Sequence, residues 1–161
     1  VPDDLIAEWP SVPREVFPTG KDQTDGELAV RDALSRGATE LVLAGAFGGA
    51  RADHSHLHLT LAVRLAEERV PVLLTSGRQE GLPILPGSAD YNFAEGTMFS
   101  ILCFTDLADL TVKGARWPLD HVAVPFGSSL TISNEVRGRL SVDLGSGRAL
   151  LVAHPFPGKD F

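Results

Sequence analysis

Two short runs of this chain carry residue types that handle phosphate: Lys21-Asp22-Gln23-Thr24-Asp25 and Gly45-Ala46-Phe47-Gly48-Gly49-Ala50-Arg51-Ala52-Asp53-His54. Carboxylates beside a helix N-terminus are hard oxygen donors for Mg²⁺, and a lysine with unpaired backbone N–H groups meets phosphate oxygens. Asp22, Asp25 and Lys21 are candidates for that chemistry; a cap at Thr24, a dipole partner at Asp25 and a solvated turn at Asp22 account for the same residues without it. In the second run the glycines allow close backbone approach, and Arg51 can fork two parallel hydrogen bonds onto phosphate. Asp53 either caps the helix that follows or joins the acids. A rival chemistry lies in His54, His56 and His58, which with Asp53 could serve a metal-dependent hydrolase. Helical spacing puts His54 and His58 on one face and turns His56 away, so at most two of the three converge on one ion.

The elements that must position these residues follow from hydrophobic periodicity. Thr24 to Arg36 is predicted as a helix, with Thr24 and Glu27 as a capping box, Leu28, Ala29, Ala33 and Leu34 as its apolar stripe, and Gly37 as its stop. Leu41 to Ala46 is short, continuous and apolar, as for a parallel strand covered on both faces. The glycine turn leads into a second helix with Leu57, Leu61 and Leu65 at four-residue spacing, and Val70 to Leu74 makes another strand. Beyond Ser76 the pattern becomes short β-type runs, at 98–104, 110–113, 122–125, 129–133, 140–144 and 149–153, separated by glycine and proline; the tail from His154 to Phe161 reads as irregular. The expectation is an α/β N-terminal part with a parallel sheet and flanking helices over residues 1–78, then an all-β sandwich or barrel over 79–161.

Composition narrows the partners. The 161 residues are 43% apolar, enough for a sizeable core, and a net charge of −7 without a Lys/Arg run offers no footprint for a nucleic-acid backbone or an acidic membrane. No apolar run approaches the roughly 20 residues of a membrane span. The single cysteine, Cys103, sits in an apolar run and reads as a small buried hydrophobe; with no disulfide framework, a cytoplasmic setting is expected.

Four ordered motifs together resemble the thiamine pyrophosphokinase family across nearly the whole chain. They are the Lys-Asp-x-Thr-Asp run at Lys21 to Asp25, the Gly-Gly-Arg-x-Asp-His run at Gly48 to His54, the Gly-x-x-Tyr/Trp-Pro-Leu segment at Gly114 to Leu119, and Ser133-Asn134-Glu135. The resemblance implies ATP-dependent transfer of a diphosphate to the hydroxyl of thiamine, with Mg²⁺, in a homodimer. It implies Asp22, Asp25, Arg51 and Asp53 as catalytic residues, with Asp22 and Asp25 holding the metal. Lys21, Thr24, Gly49, Arg51 and His54 would bind the nucleotide, and Trp117, Ser133 and Asn134 the thiamine, whose cationic aromatic ring suits an aromatic face and an amide or hydroxyl. Asp53 would bind metal, or orient or deprotonate the thiamine hydroxyl. A pyrophosphokinase for a pterin-type alcohol and a non-catalytic thiamine- or nucleotide-binding protein are the alternatives. Ala50 is inserted before Arg51, and His58 stands where relatives often have asparagine. The family's upstream Asp-Gly-Gly and Gly-Asp-x-Asp-Ser motifs have no counterpart, so the chain is expected to be the later part of a longer protein.

Overall fold

The computed structural model describes residues 3–18 and 22–155; Lys21 and the tail beyond Pro155 lie outside the described residues. After a short helix α1 (Asp3–Glu8), helix α2 (Asp25–Ser35) starts at a complete capping box. The Glu27 N–H donates to Thr24 Oγ1 at 3.3 Å and the Thr24 N–H returns to Glu27 Oε2 at 3.2 Å, so both ends of the signature read from sequence are made. Strand β1 (Leu41–Ala44), helix α3 (Ala52–Glu67) and strand β2 (Val72–Thr75) form a βαβ unit, with Leu41 opposite Val72 and Ala44 opposite Thr75 in parallel register. Leu61, Ala62, Val63 and Leu65 of α3 are buried, which satisfies the helical period seen in sequence.

Seven further strands follow: β3 (Glu80–Ile84), β4 (Gly87–Tyr91), β5 (Met98–Cys103), β6 (Leu107–Ala115), β7 (Leu119–Val124), β8 (Asn134–Ser146) and β9 (Ala149–His154). All belong to one mixed sheet of order β1-β2-β3-β9-β5-β8-β6-β7, with β4 also on β8. The first two residues of β8 pair with β5 and the rest with β6 and β4, so the sheet curls over and its two halves share a core of Phe99, Ile101, Leu110, Val136, Leu140 and Leu151. Strand β9 is the hinge of the packing. Leu150 and Val152 join a second core with Leu61, Leu65 and Leu74 on the helix side, while Ala149, Leu151 and Ala153 face the first. Burial on both faces explains why Ala149-Leu150-Leu151-Val152-Ala153 is apolar without alternation.

Several expectations need correcting. Parallel pairing among the described residues is confined to β1 and β2, and the fold is a mixed, mostly antiparallel sheet with few helices. Among the described residues strand β1 is not covered on both faces: it is an edge strand in the sheet order, and Val42 is 63% exposed. Residues 129–133, expected as a strand, form turns, and one residue supplies the cross-link: Thr131 Oγ1 donates to the Ile101 carbonyl at 2.7 Å and the Ile101 N–H donates to the Thr131 carbonyl at 2.9 Å. Strands β3 and β4 were absent from the expectation. Pro83 masks β3, and it is tolerated because β2 pairs only with Glu80 and Gly81, leaving the Pro83 position unpaired on that side. His154, read as part of an irregular tail, ends β9. No helix among the described residues is long and apolar enough to cross a membrane.

Candidate functional site

The first group of candidate residues sits where β1 ends. The chain leaves Ala44 through Gly45, whose N–H donates to the Thr75 carbonyl of β2 at 2.8 Å, so the turn is tied to the carboxyl edge of the parallel pair. Ser55 Oγ on the first turn of α3 donates to the Gly48 carbonyl at 2.5 Å and closes the loop onto the helix. Gly48 and Gly49 have φ of 79° and 91°, and the space a Cβ would take at either is empty, so their backbone faces open solvent at a helix start. Open α/β units bind ligands at this carboxyl edge.

Arg51 is the N-cap of α3, contrary to the possibility that Asp53 fills that position, and its side chain makes no cap hydrogen bond. Instead the guanidinium forks onto Asp53, Nε to Oδ1 at 2.9 Å and Nη2 to Oδ2 at 2.5 Å. Both side chains are largely exposed, so the pair contributes little to stability and can open to another anion. The hydrogen bonds from Arg51, with help from the His54 N–H at the helix start, hold the Asp53 carboxyl well below the usual carboxylate range. Asp53 is therefore an ionised group throughout the physiological range and a weak proton acceptor.

Asp22 and Asp25 lie exposed on either side of the Thr24 cap, Asp25 as the first residue of α2. The start of α2 leans on α3. A Cβ on Gly26 would come 3.4 Å from His58 Nε2, and Arg64 pairs with Glu27 at 3.3 Å. Among the described residues no three His, Cys, Asp or Glu side chains converge as a metal cage. The three histidines point apart: His54 and His56 are exposed, His56 lies against Phe104 at 6.4 Å, and His58 is turned inward with an unpartnered Nδ1. His58 lines an open apolar groove of ≈ 280 Å³ between α2 and β1, with Gly26, Ala29 and Val42. The donor chemistry of Asp22 and Asp25 does fit Mg²⁺ arriving with a triphosphate, because that ion takes one or two carboxylates and completes its shell with phosphate oxygens and water.

The second group assembles around the β6–β7 turn. Trp117 is 54% exposed, which removes a core role. Asn134, the first residue of β8 and 9% exposed, reaches across to it. Its Oδ1 accepts from the Trp117 N–H at 3.1 Å and from the Glu135 N–H at 2.8 Å, and its Nδ2 donates to the Trp117 carbonyl at 2.8 Å. Ser133 precedes it at φ 62°, fixed by a 3.0 Å bond from its N–H to Ser100 Oγ, and is exposed. Two neighbours complete the group without having been assigned a role from sequence. The Arg116 guanidinium lies over the Trp117 ring, 4.9 Å from its centroid, and pairs with Glu135 at 3.2 Å. Their adjacency to Trp117 and Asn134 was the available signal.

The comparisons with known proteins fall on both groups. Residues 88–148, which contain Trp117, Ser133 and Asn134, match the family described as "Thiamin pyrophosphokinase, vitamin B1 binding domain". The chain is 31% identical over 135 residues to the thiamine pyrophosphokinase of Bacillus subtilis (strain 168), across 81% of this chain and 63% of that protein's length. Among solved structures it superposes on the thiamine pyrophosphokinase of Bacillus subtilis with a TM-score of 0.77 at 27% identity, covering 86% of this chain and 66% of that one. The thiamin pyrophosphokinase of Geobacillus thermodenitrificans gives 0.80 at 25% identity, covering 98% and 74%. The chain thus spans about two thirds of the length of these relatives.

Proposed function

From the likeness of this chain to thiamin pyrophosphokinases, we propose that the protein transfers the terminal diphosphate of ATP to the hydroxyl of thiamine, giving thiamine diphosphate and AMP. The observation that carries this reading is the Trp117 ring, held by Asn134 and half open to solvent, inside the very segment that resembles a vitamin B1 binding domain. A cationic aromatic ring is attracted to such an indole face. In this reading residues 1–78 handle the nucleotide and residues 79–161 the acceptor.

The thiamine oxygen attacks the β-phosphorus of ATP, the bond from that phosphorus to the α-phosphate oxygen breaks, AMP leaves, and the hydroxyl proton passes to solvent. Catalysis of such a transfer is mostly positioning and charge stabilisation. Arg51 releases Asp53 and forks onto the oxygens of the transferring group, where a planar two-donor cation is most effective. Backbone N–H groups at Gly49 and His54, with the Lys21 ammonium, hold the triphosphate, while Thr24 caps α2 beside it. Asp22 and Asp25 would hold Mg²⁺, which would neutralise charge on the triphosphate. Asp53, freed of Arg51, is an exposed carboxylate that orients the thiamine hydroxyl. Ser133 offers its hydroxyl to the acceptor.

Met98, Leu130 and Ile132 are exposed near the pairing of residues 131–133 with β5, and we read them as part of a homodimer contact. We read the setting as cytoplasmic, where a thiol such as Cys103 stays reduced.

The test is chromatographic quantitation of AMP and thiamine diphosphate formed by the protein from ATP, Mg²⁺ and thiamine. Equal amounts of the two products support the reading. Faster AMP release with a pterin-type alcohol transfers it to that acceptor, and thiamine binding without AMP release makes the protein a binder.

A further inference from the structure

We propose that Asn134 and Glu135 are positioning residues which give Trp117 a single usable face: Asn134 clamps the Trp117 backbone, and Glu135 holds Arg116 against one side of the ring. The inference rests on the reading of Trp117 as the thiamine platform and adds how that platform is built.

A turn residue exposed as Trp117 is would ordinarily leave its backbone to water. Here one side-chain amide satisfies both its N–H, at 3.1 Å, and its carbonyl, at 2.8 Å. That is the pattern of a hydrogen-bonded pair in an antiparallel ladder, reproduced by a side chain one residue beyond the last backbone bond from β8. The clamp is anchored at both of its own ends. The Glu135 N–H also donates to Asn134 Oδ1, and the Arg116 N–H donates to the Glu135 carbonyl at 2.8 Å, so residues 116–117 and 134–135 are laced together. With the Oδ1 lone pairs and one Nδ2 hydrogen committed, Asn134 has a single donor left. A role as the main polar contact to an acceptor is a poor use of it.

Glu135 does the second part. Its side chain is only 17% exposed and is shared between Arg116, at 3.2 Å, and Arg137, at 2.8 Å. Two cations on one half-buried carboxylate fix Arg116 in place, and the guanidinium then occupies one side of the indole. A cationic ligand is repelled from that side and must stack on the opposite one. The ring thereby selects the approach direction as well as the ligand's charge and planarity.

The experiment uses Trp9→Phe, which removes the exposed tryptophan of the N-terminal segment and leaves Trp117 as the sole indole fluorophore. Steady-state anisotropy and acrylamide quenching of Trp117 are measured without ligand, and thiamine affinity by quenching of the same signal. In this background Asn134→Ala is expected to lower the anisotropy and to weaken thiamine on the order of tenfold, as loss of about one net hydrogen bond implies. Arg116→Gln is expected to raise the acrylamide quenching constant about twofold, as the second face opens to solvent; it covers the case in which Asn134→Ala does not fold. Unchanged anisotropy with tenfold weaker thiamine would mean that Asn134 touches the acceptor, and would overturn the positioning role. Unchanged quenching in Arg116→Gln would overturn the single-face claim. Lowered anisotropy in Asn134→Ala with no thiamine response even in the parent would uphold the clamp and sink the acceptor reading instead.

Discussion

Gly114→Ala should unfold much of what Gly138→Ala leaves standing, although both glycines are in the left-handed region, at φ 69° and 93°. Gly114 lies at a register shift in β6, where Lys113 pairs with Ser141 and Ala115 with Val136. A Cβ there would come 1.9 Å from the Arg139 carbonyl oxygen and 2.4 Å from its carbon, both backbone atoms of β8 that no rotamer can move. At Gly138 the same Cβ meets nothing within 4 Å. The left-handed conformation costs an alanine about 1–2 kcal/mol at either site. At Gly114 the overlap adds about 1–3 kcal/mol or forces β6 off β8, for a total of roughly 2–5 kcal/mol. With a urea slope of about 2 kcal/mol/M, the midpoint should fall by roughly 1–2.5 M for Gly114→Ala and by roughly 0.5–1 M for Gly138→Ala. Urea unfolding followed by circular dichroism decides it. Equal shifts would refute the close approach of β6 to β8, and with it the account of how the turn bearing Trp117 is held.

Two further predictions concern single side chains. Tyr91 is the only tyrosine, and burial beside Phe93 raises its pKa to about 12, so absorbance at the phenolate band should titrate there and not near 10. Because the unfolded chain gives up that proton first, Tyr91 should cost about 2–3 kcal/mol of stability as pH climbs from 10 to 12, a loss that Tyr91→Phe abolishes. Arg51→Lys should lower kcat/KM for thiamine diphosphate formation on the order of tenfold to a hundredfold, through loss of the fork, while leaving the urea midpoint where it was. A parallel drop in the midpoint would mean that Arg51 is structural.

What was legible in the chain was local. The capping box at Thr24 and Glu27 and the glycine turn before Arg51 are written within a few residues, and local hydrogen bonds and backbone conformation decide them. The apolar run of β9 was legible as a strand, yet its position between two cores depends on partners at the other end of the chain. Strand β4 is Gly-Ser-Ala-Asp-Tyr, almost without an apolar signal, because it is exposed and held by its ladder to β8. Pro83 hid β3 for a reason that only its one-sided pairing removes. At the candidate site, Trp117, Ser133 and Asn134 were singled out by type. That the Asn134 amide is spent on the Trp117 backbone, 17 residues away, required the β6–β8 pairing to become visible.

The central claim is that a diphosphate, and not a single phosphate, moves from ATP to thiamine. The most direct test supplies the full-length protein with Mg²⁺, thiamine and ATP radiolabelled at the γ-phosphorus, and separates the products. Diphosphate transfer puts the label in thiamine diphosphate and leaves unlabelled AMP in equal amount. Label in thiamine monophosphate with release of ADP, or label only in inorganic phosphate, would contradict the account.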